Sequence, residues 1–334
     1  MKKVRTILLV TAAIVLTGII SAAVAIAAYV PPIRNVYNIE DREETPEIQP
    51  VENILFLGMD REAGLTDVMM LVGVDRDAER ITVLQIPRDT YAEYTDGSYK
   101  KLNGAYNSLG GAREVADFLS SAWGIEIHRY VCIGLDTFGD VVDAIGGVDI
   151  ELPSDMKYSD PEQGLYIDLK AGKQTLDGKT AQHFVRFRSD YANGDLGRLD
   201  AQKLFMSAFF RTLCDKFSPA TAAKLVAVAE GIETNIGVSD MLDISSDALG
   251  IGGDGILFAT IPGKEVTATV SGASYYAVSA PSASEMTERY FGRKRDFDSD
   301  KKFLNERYDS FRLVYENYVE YDVSSVSDIL RDGI

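Results

Sequence analysis

Three arginines in an acidic chain have the residue types and spacing of an anion-binding site. Arg88 lies in the turn-forming segment 86–90, Ile-Pro-Arg-Asp-Thr, and Arg186 and Arg188 are separated by one aromatic residue. A guanidinium binds phosphate through paired hydrogen bonds and stays charged when partly buried. Because the net charge is -17, an anion must be captured by a few arginines that folding brings together. The alternative for each arginine alone is an ordinary surface ion pair.

Acidic side chains lie at the ends of three apolar segments and suggest a metal site. Asp60 follows the first apolar run, Asp67 opens the second, and Arg88 and Asp89 follow the third. In an open α/β sheet, ligands bind outside the carboxyl ends of the strands. Two carboxylates from neighbouring loops can share a Mg²⁺, which prefers oxygen ligands and often bridges to phosphate. Asp67 can join this site only if the intervening loop folds back.

A predicted helix adds further polar groups. Arg198 and Gln202 are four residues apart, so they share one helix face, and the glycine-containing segment 194–197 precedes them. A helix N-terminus favours anions. Lys101, on a loop, adds another positive group. We therefore expect these groups to converge on one site.

The elements that must position these residues indicate an α/β fold. Unbroken apolar runs predict strands at 53–58, 68–74 and 80–86, typical of a sheet that is covered on both faces. Helical patterns at 112–123 and 137–145 alternate with strands at 130–134 and 148–152. Such alternation predicts a three-layer α/β/α domain around a mixed central sheet.

The N-terminus predicts one transmembrane helix. Lys2, Lys3 and Arg5 precede the uncharged segment 7–30, which would span about 36 Å as a helix, against a hydrocarbon core of about 30 Å. Basic residues before the span predict a cytoplasmic N-terminus, with the rest of the chain outside the membrane. The small-x-small pattern at 25–27 leaves a cleaved signal peptide as the alternative.

The chain divides into four predicted regions. Residues 1–30 form the anchor, 31–50 an acidic proline-containing linker, 51–291 the main folded domain, and 292–334 a charged helical appendage. The acidic composition, without basic runs beyond the anchor, argues against nucleic acid as a partner. The glycine pattern at 250–255 follows a predicted helix and precedes a strand, which is the reverse of a dinucleotide-binding turn.

Eight ordered motifs carry a family resemblance. They are NILFLGMD at 53–60, TDVMMLV at 66–72, IPRDT at 86–90, KLNGAY at 101–106, VVDAIGGV at 141–148, LDGKTA at 176–181, VRFR at 185–188 and GDLGR at 194–198. In order and spacing, the chain resembles the LytR-CpsA-Psr family of membrane-anchored cell-wall glycopolymer ligases.

The resemblance implies a transferase of the Gram-positive type of cell wall. Such an enzyme moves a glycopolymer, such as teichoic acid or capsular polysaccharide, from an undecaprenyl-pyrophosphate carrier to peptidoglycan outside the membrane. The carrier's tail would occupy a hydrophobic tunnel between sheet and helices. Asp60 and Asp67 would hold Mg²⁺ or Mn²⁺. The pyrophosphate would be bound by five further residues, namely Lys101, Arg186, Arg188, Arg198 and Gln202.

The implied reaction assigns roles to Arg88 and Asp89. A muramic acid 6-hydroxyl attacks the donor glycan, and Arg88 stabilises the charge on the departing pyrophosphate. Asp89 would be the general base, or would instead orient Arg88. Hydrolysis of the pyrophosphate is a related side activity of the same site.

Two positions depart from the family pattern. Leu65 and Ala201 stand where the family usually has arginine. Each change removes a charge-assisted contact of about 1.5–3 kcal/mol. The alternative function is therefore a catalytically weakened membrane protein that binds polyprenyl phosphate and organises or regulates cell-wall assembly.

Overall fold

The structure is a computed structural model. It describes residues 51–60, 64–94, 97–160, 165–187, 195–269, 271–292, 311–319 and 322–332. The predicted transmembrane segment at 7–30 and the linker at 31–50 lie outside these residues. Within them, none of the helices combines the length and the hydropathy needed to cross a bilayer.

Sixteen strands are assigned within the described residues. They are β1 (Val51–Asp60), β2 (Leu65–Asp75), β3 (Arg80–Ile86), β4 (Tyr91–Glu93), β5 (Tyr99–Lys101), β6 (Arg129–Gly134), β7 (Val148–Leu152), β8 (Met156–Asp160), β9 (Leu165–Leu169), β10 (Gly172–Leu176), β11 (Glu233–Thr234), β12 (Ile256–Thr260), β13 (Gly263–Ala268), β14 (Ser274–Val278), β15 (Phe311–Val319) and β16 (Val323–Ser325).

Nine α-helices accompany these strands in the described part of the chain. They are α1 (Ala105–Leu109), α2 (Ala112–Trp123), α3 (Leu135–Ala144), α4 (Gly178–Arg186), α5 (Asp195–Lys216), α6 (Pro219–Val228), α7 (Val238–Gly255), α8 (Ala280–Phe291) and α9 (Val326–Asp332). The glycine pattern at 250–255 ends α7, with a non-helical residue at Gly252.

The central sheet is mixed. Its strand order is β11-β6-β1-β2-β3-β12-β16. Strand β1 runs parallel to β6, β3 runs parallel to β12, and β2 is antiparallel to both β1 and β3. Strands β1, β3, β6 and β12 therefore point the same way, and their carboxyl ends meet at one edge of the sheet.

Both faces of the central sheet are covered, as the unbroken apolar runs predicted. Successive residues of β1 alternate between two cores because side chains in a strand point to opposite faces. Ile54 and Phe56 pack with residues of α3 to α7 and α9. Leu55 and Leu57 pack with residues of α1, α2 and α8. The predicted mixed sheet and its covering layers are confirmed.

The prediction of a helical appendage at 292–334 is wrong for its described part. Strand β15 pairs with β13, and β16 pairs with β12 at the end of the central sheet. Only α9 is helical there. The segment Phe311–Val319 is rich in aromatic and β-branched residues, which favour a strand. Its charged residues obscured this signal in the sequence.

Candidate functional site

The candidate site lies at the sheet edge where the parallel strands end. Asp60 is the last residue of β1, Arg88 follows β3 within two residues, and Asp136 lies just after β6 in the first turn of α3. The chain reverses between β1 and β2, which are antiparallel neighbours. This reversal brings Asp67 back beside the end of β1. The loop therefore folds back, as the sequence analysis required for Asp67 to join the site.

A β-bulge positions Asp67. Gly58 pairs with Val68, whereas Met59 pairs with Thr66, so Asp67 is the extra residue of β2. A bulge changes the direction of a side chain and is frequent beside active sites. The Asp67 side chain is 1% exposed, and its Oδ1 accepts a hydrogen bond of 2.8 Å from Nη1 of Arg88.

A tight turn holds Arg88. The amide of Thr90 donates to the carbonyl of Pro87 at 3.0 Å, and the Thr90 hydroxyl donates to the same oxygen at 2.6 Å. The amide of Asn103 donates to the Arg88 carbonyl at 3.0 Å. The Arg88 backbone is therefore fixed on both sides, and its side chain is 15% exposed.

Helix α4 delivers Arg186 to the same edge. Asp177 caps the helix by accepting from the amide of Thr180 at 2.8 Å, and the Thr180 hydroxyl bond lowers the pKa of Asp177. Arg186 is the last residue of α4. Burial lowers the pKa of Arg186, and three carboxylates oppose that effect. They are Asp60, Asp67 and Asp136. Arg186 therefore lies in the electrostatic field of the two predicted metal ligands.

Helix α5 places Arg198 and Gln202 against the end of β3, where both are almost completely buried. The amide Nε2 of Gln85 donates to the carbonyl of Leu199 at 3.1 Å and lies 3.5 Å from Oε1 of Gln202. Gln202 Nε2 is buried and makes no hydrogen bond to the described residues. A buried donor of this kind normally has a partner, so a water molecule or a ligand is expected to complete its hydrogen bonding.

Asp89 and Lys101 form a neighbouring ion pair. Lys101 Nζ lies 3.0 Å from Asp89 Oδ2, whereas Arg88 Nε lies 3.9 Å from Asp89 Oδ1. Arg88 is thus held mainly by Asp67. Arg188 lies outside the described residues.

Sequence reasoning missed three contributors to the site, namely Gln85, Asp136 and Thr260. Thr260 donates to Gln85 Oε1 at 3.1 Å, so β3, β12 and α5 share a buried polar network. Gln85 could have been recognised because it is a polar residue within the apolar run of β3, two residues before Pro87.

The two departures from the family pattern occupy different surroundings. Leu65 pairs with Asp60 where β1 and β2 meet. Ala201 is buried and lines a cavity of about 1070 Å³. This cavity lies between α5, α4, the β7–β10 pair and α9. Its lining is mixed, with apolar Ile150, Phe184 and Leu330 beside charged residues such as Asp149, Lys173 and Arg331.

The two carboxylates are too few to hold Mg²⁺ alone, so a ligand would have to supply further oxygens. Among the described residues, no group of three or more His, Cys, Asp or Glu side chains is placed to hold a metal. Asp60 and Asp67 could supply two oxygens. Mg²⁺ is commonly bound through one or two carboxylates together with phosphate oxygens and water. The donor set therefore suits a metal that arrives with a phosphate ligand.

Comparison with known proteins places this architecture in a family. The LytR_cpsA_psr family profile matches residues 33–291. The chain is 34% identical over 204 residues to the polyisoprenyl-teichoic acid–peptidoglycan teichoic acid transferase TagV of Bacillus subtilis, across 57% of this chain. That match covers 51% of TagV, so the chain spans about half the length of this relative.

Two further similarities agree. The chain is 26% identical over 253 residues to the transferase TagU of Oceanobacillus iheyensis, across 73% of this chain and 76% of that protein. The crystal structure of B. subtilis TagV matches with a TM-score of 0.61 at 26% identity, covering 74% of this chain and 99% of that chain. Because the family profile spans more than half of its length, the chain belongs to the LytR_cpsA_psr family.

Proposed function

We propose that this protein is an extracytoplasmic transferase that moves a glycopolymer from an undecaprenyl-pyrophosphate carrier to peptidoglycan. The observation that supports the proposal is that Arg88 bonds Asp67 and that Arg186 lies in the electrostatic field of Asp60 and Asp67. In a chain with a net charge of -17, such a cluster would supply the local positive groups that an anion needs. The names of TagV and TagU as teichoic acid transferases support the choice of donor and acceptor.

The arginines account for the rate acceleration. When the acceptor hydroxyl attacks the anomeric carbon of the donor glycan, the bond to the pyrophosphate breaks and negative charge grows on its oxygens. Arg88, fixed by Asp67 and the Pro87 turn, donates to that growing charge without reorganising. Gln202 supplies a further donor from α5.

The predicted metal would add to this effect. Asp60 and Asp67 would hold Mg²⁺ or Mn²⁺, which would neutralise charge on the pyrophosphate oxygens. The arginines and the two carboxylates would also serve an alternative, phosphotransferase route. In that route the acceptor hydroxyl attacks the phosphorus that bears the glycan, and polyprenyl monophosphate departs. They also serve hydrolysis of the pyrophosphate when water replaces the acceptor.

The cavity along α5 is the candidate space for the carrier's tail, which would pack on its apolar residues and leave its charged residues to the open side. Gly197 and Ala201, which line it, flank Arg198 in the helix. An apolar chain could therefore extend from a pyrophosphate bound at Arg198 into the space between α5 and α9. A membrane-bound carrier is consistent with the predicted single-pass anchor and an extracytoplasmic domain.

The second candidate function is a membrane protein that binds the lipid carrier without transferring its glycan. The specific observation in its favour is the absence of arginine at Leu65 and Ala201, both of which lie beside the candidate site.

Arg88→Met tests the transferase. The substrates are a polyprenyl-pyrophosphate-linked glycan and peptidoglycan fragments, with Mg²⁺ present. We expect Arg88→Met to lower transfer by about 10²–10³-fold, as for loss of one donor to transition-state charge. Arg289→Met is the matched control, because Arg289 is exposed and lies beside Arg80, at the opposite end of β3.

Three measurements separate the alternatives, namely analysis of the released lipid, a reaction without acceptor, and binding of the lipid by the wild-type protein. Analysis of the released lipid distinguishes polyprenyl pyrophosphate from monophosphate. A reaction without acceptor measures hydrolysis. If the wild-type protein binds the lipid but transfers no glycan, the transferase proposal fails and the binding function is favoured.

A further inference from the structure

Four partly exposed residues form a second cluster beside Arg88, which we call the tyrosine patch. Its members are Asp89, Tyr91, Lys101 and Tyr275. Lys101 Nζ lies 3.0 Å from Asp89 Oδ2 and 5.5 Å from the centre of the Tyr275 ring. The rings of Tyr91 and Tyr275 meet edge to face, with centroids 5.1 Å apart.

Three segments of backbone hold the tyrosine patch. Tyr91 and Lys101 are direct partners across the β4–β5 pair. The amide of Tyr276 donates to the carbonyl of Asp89 at 2.8 Å, which fixes β14 to the Arg88 turn. The buried Tyr276 hydroxyl donates to the carbonyl of Ile261 at 2.6 Å. The patch is therefore preorganised by β14 and by the hairpin that follows Arg88.

Arg88 separates the tyrosine patch from the carboxylate pair. Its Nη1 bonds Asp67, while its Nε lies 3.9 Å from Asp89. A group bound at the patch would therefore be next to a pyrophosphate held by Arg88, on the side away from Asp67.

The chemistry of the tyrosine patch suits a sugar. A pyranose ring has an apolar face of C–H groups and a rim of hydroxyls. Tyrosine presents an apolar ring with a polar tip. The Asp89 and Lys101 side chains are 23% and 31% exposed, so a ligand can reach both a hydrogen-bond acceptor and a donor. An ion pair this exposed stabilises the fold little.

We propose that the tyrosine patch binds the acceptor glycan. This inference rests on the proposed function and deepens it. Tyr91 and Tyr275 pack against the acceptor sugar, and Lys101 donates to its oxygens instead of to the pyrophosphate.

Asp89 is the base in this arrangement. The acceptor O–H bond breaks and its proton passes to the Asp89 carboxylate, while the oxygen forms the new bond to the donor. The donor's bond to the departing phosphate oxygen breaks, and that oxygen keeps the electron pair beside Arg88. The donor glycan has no proton to lose in this step, so the carboxylate favours the acceptor as the occupant.

Steady-state kinetics of Tyr275→Leu and Tyr91→Leu test the assignment. We expect the KM for a soluble N-acetylglucosamine–N-acetylmuramic acid oligomer to rise about tenfold, with donor KM changed less than twofold. Tyr275→Phe keeps the ring and should retain most of the affinity. Tyr166→Leu is the matched control, because Tyr166 is 60% exposed on β9. Circular dichroism checks that each variant is folded.

Direct binding of the oligomer separates this inference from the proposed function. Wild-type binding that Tyr275→Leu weakens about tenfold supports the patch even if no transfer occurs. An unchanged acceptor KM in folded Tyr275→Leu, or a change confined to donor KM, overturns it.

Discussion

The Arg88–Asp67 pair is expected to make a measurable contribution to the free energy of unfolding. Two unit charges about 4 Å apart, at an effective dielectric constant of about 20, attract by about 4 kcal/mol. Asp67 is 1% exposed and Arg88 is 15% exposed. Burial therefore removes water from both groups and offsets roughly half of that attraction. We expect a net coupling of about 2 kcal/mol.

A double-mutant cycle measures this coupling. The variants are Asp67→Asn, Arg88→Met and the double substitution, and urea unfolding of the purified protein gives each free energy of unfolding. Asp67→Asn alone should be strongly destabilising, by about 3 kcal/mol, because it removes the buried carboxylate that faces the Arg88 guanidinium. The double variant should lose less than the sum of the single variants.

An exposed ion pair provides the comparison. Lys173 and Glu151 lie 3.9 Å apart with side chains 86% and 67% exposed. Their cycle should give a coupling below about 0.5 kcal/mol. A value just as small for Arg88 and Asp67 would refute the view that Asp67 holds Arg88 in place.

Two predictions concern helix α4, which carries Arg186. Asp177→Ala removes the helix cap and should lower the free energy of unfolding by about 1 kcal/mol. Asp177→Ser keeps a capping oxygen and should retain most of the wild-type stability. Equal urea midpoints for the two variants would contradict this prediction. Burial, and then Lys179 and Arg186, lower the pKa of His183, so the unfolded state binds more protons between the folded and unfolded pKa values. The wild-type protein should therefore lose stability as the pH falls below about 6.5, and His183→Gln should lose less over the same range; parallel pH profiles of urea midpoints would contradict that reasoning.

The apolar patterns made most of the fold predictable. The predicted boundaries of β3, β7 and α2 coincide with those of the structure. Strand β3 is a mainly apolar run, β7 alternates strictly, and α2 carries a clear apolar stripe. The continuous apolar strands alone were enough to predict that both faces of the sheet are buried. The β4–β5 pair was missed because its strands have three residues each and are largely polar. The β8–β9 pair was missed although its two strands alternate apolar and polar residues.

The site was predictable where residues follow strands. Asp60 and Arg88 could be placed because a strand end fixes the sheet edge. The bulge that directs Asp67 depends on pairing between β1 and β2, and the Gln85–Thr260 bond joins strands 175 positions apart in the chain. Neither is encoded in a local pattern. Asp136 was missed because only its place just after β6 brings it near Arg186.

The region after the family match completes the domain physically. The family profile ends at residue 291, whereas β16 covers the outer edge of β12 and α9 supplies one side of the cavity along α5. A protein shortened to the profile boundary would present a bare row of strand amides and carbonyls, which invites other chains to pair with it. The family profile therefore stops before the segments that cover this sheet edge and close one side of the cavity.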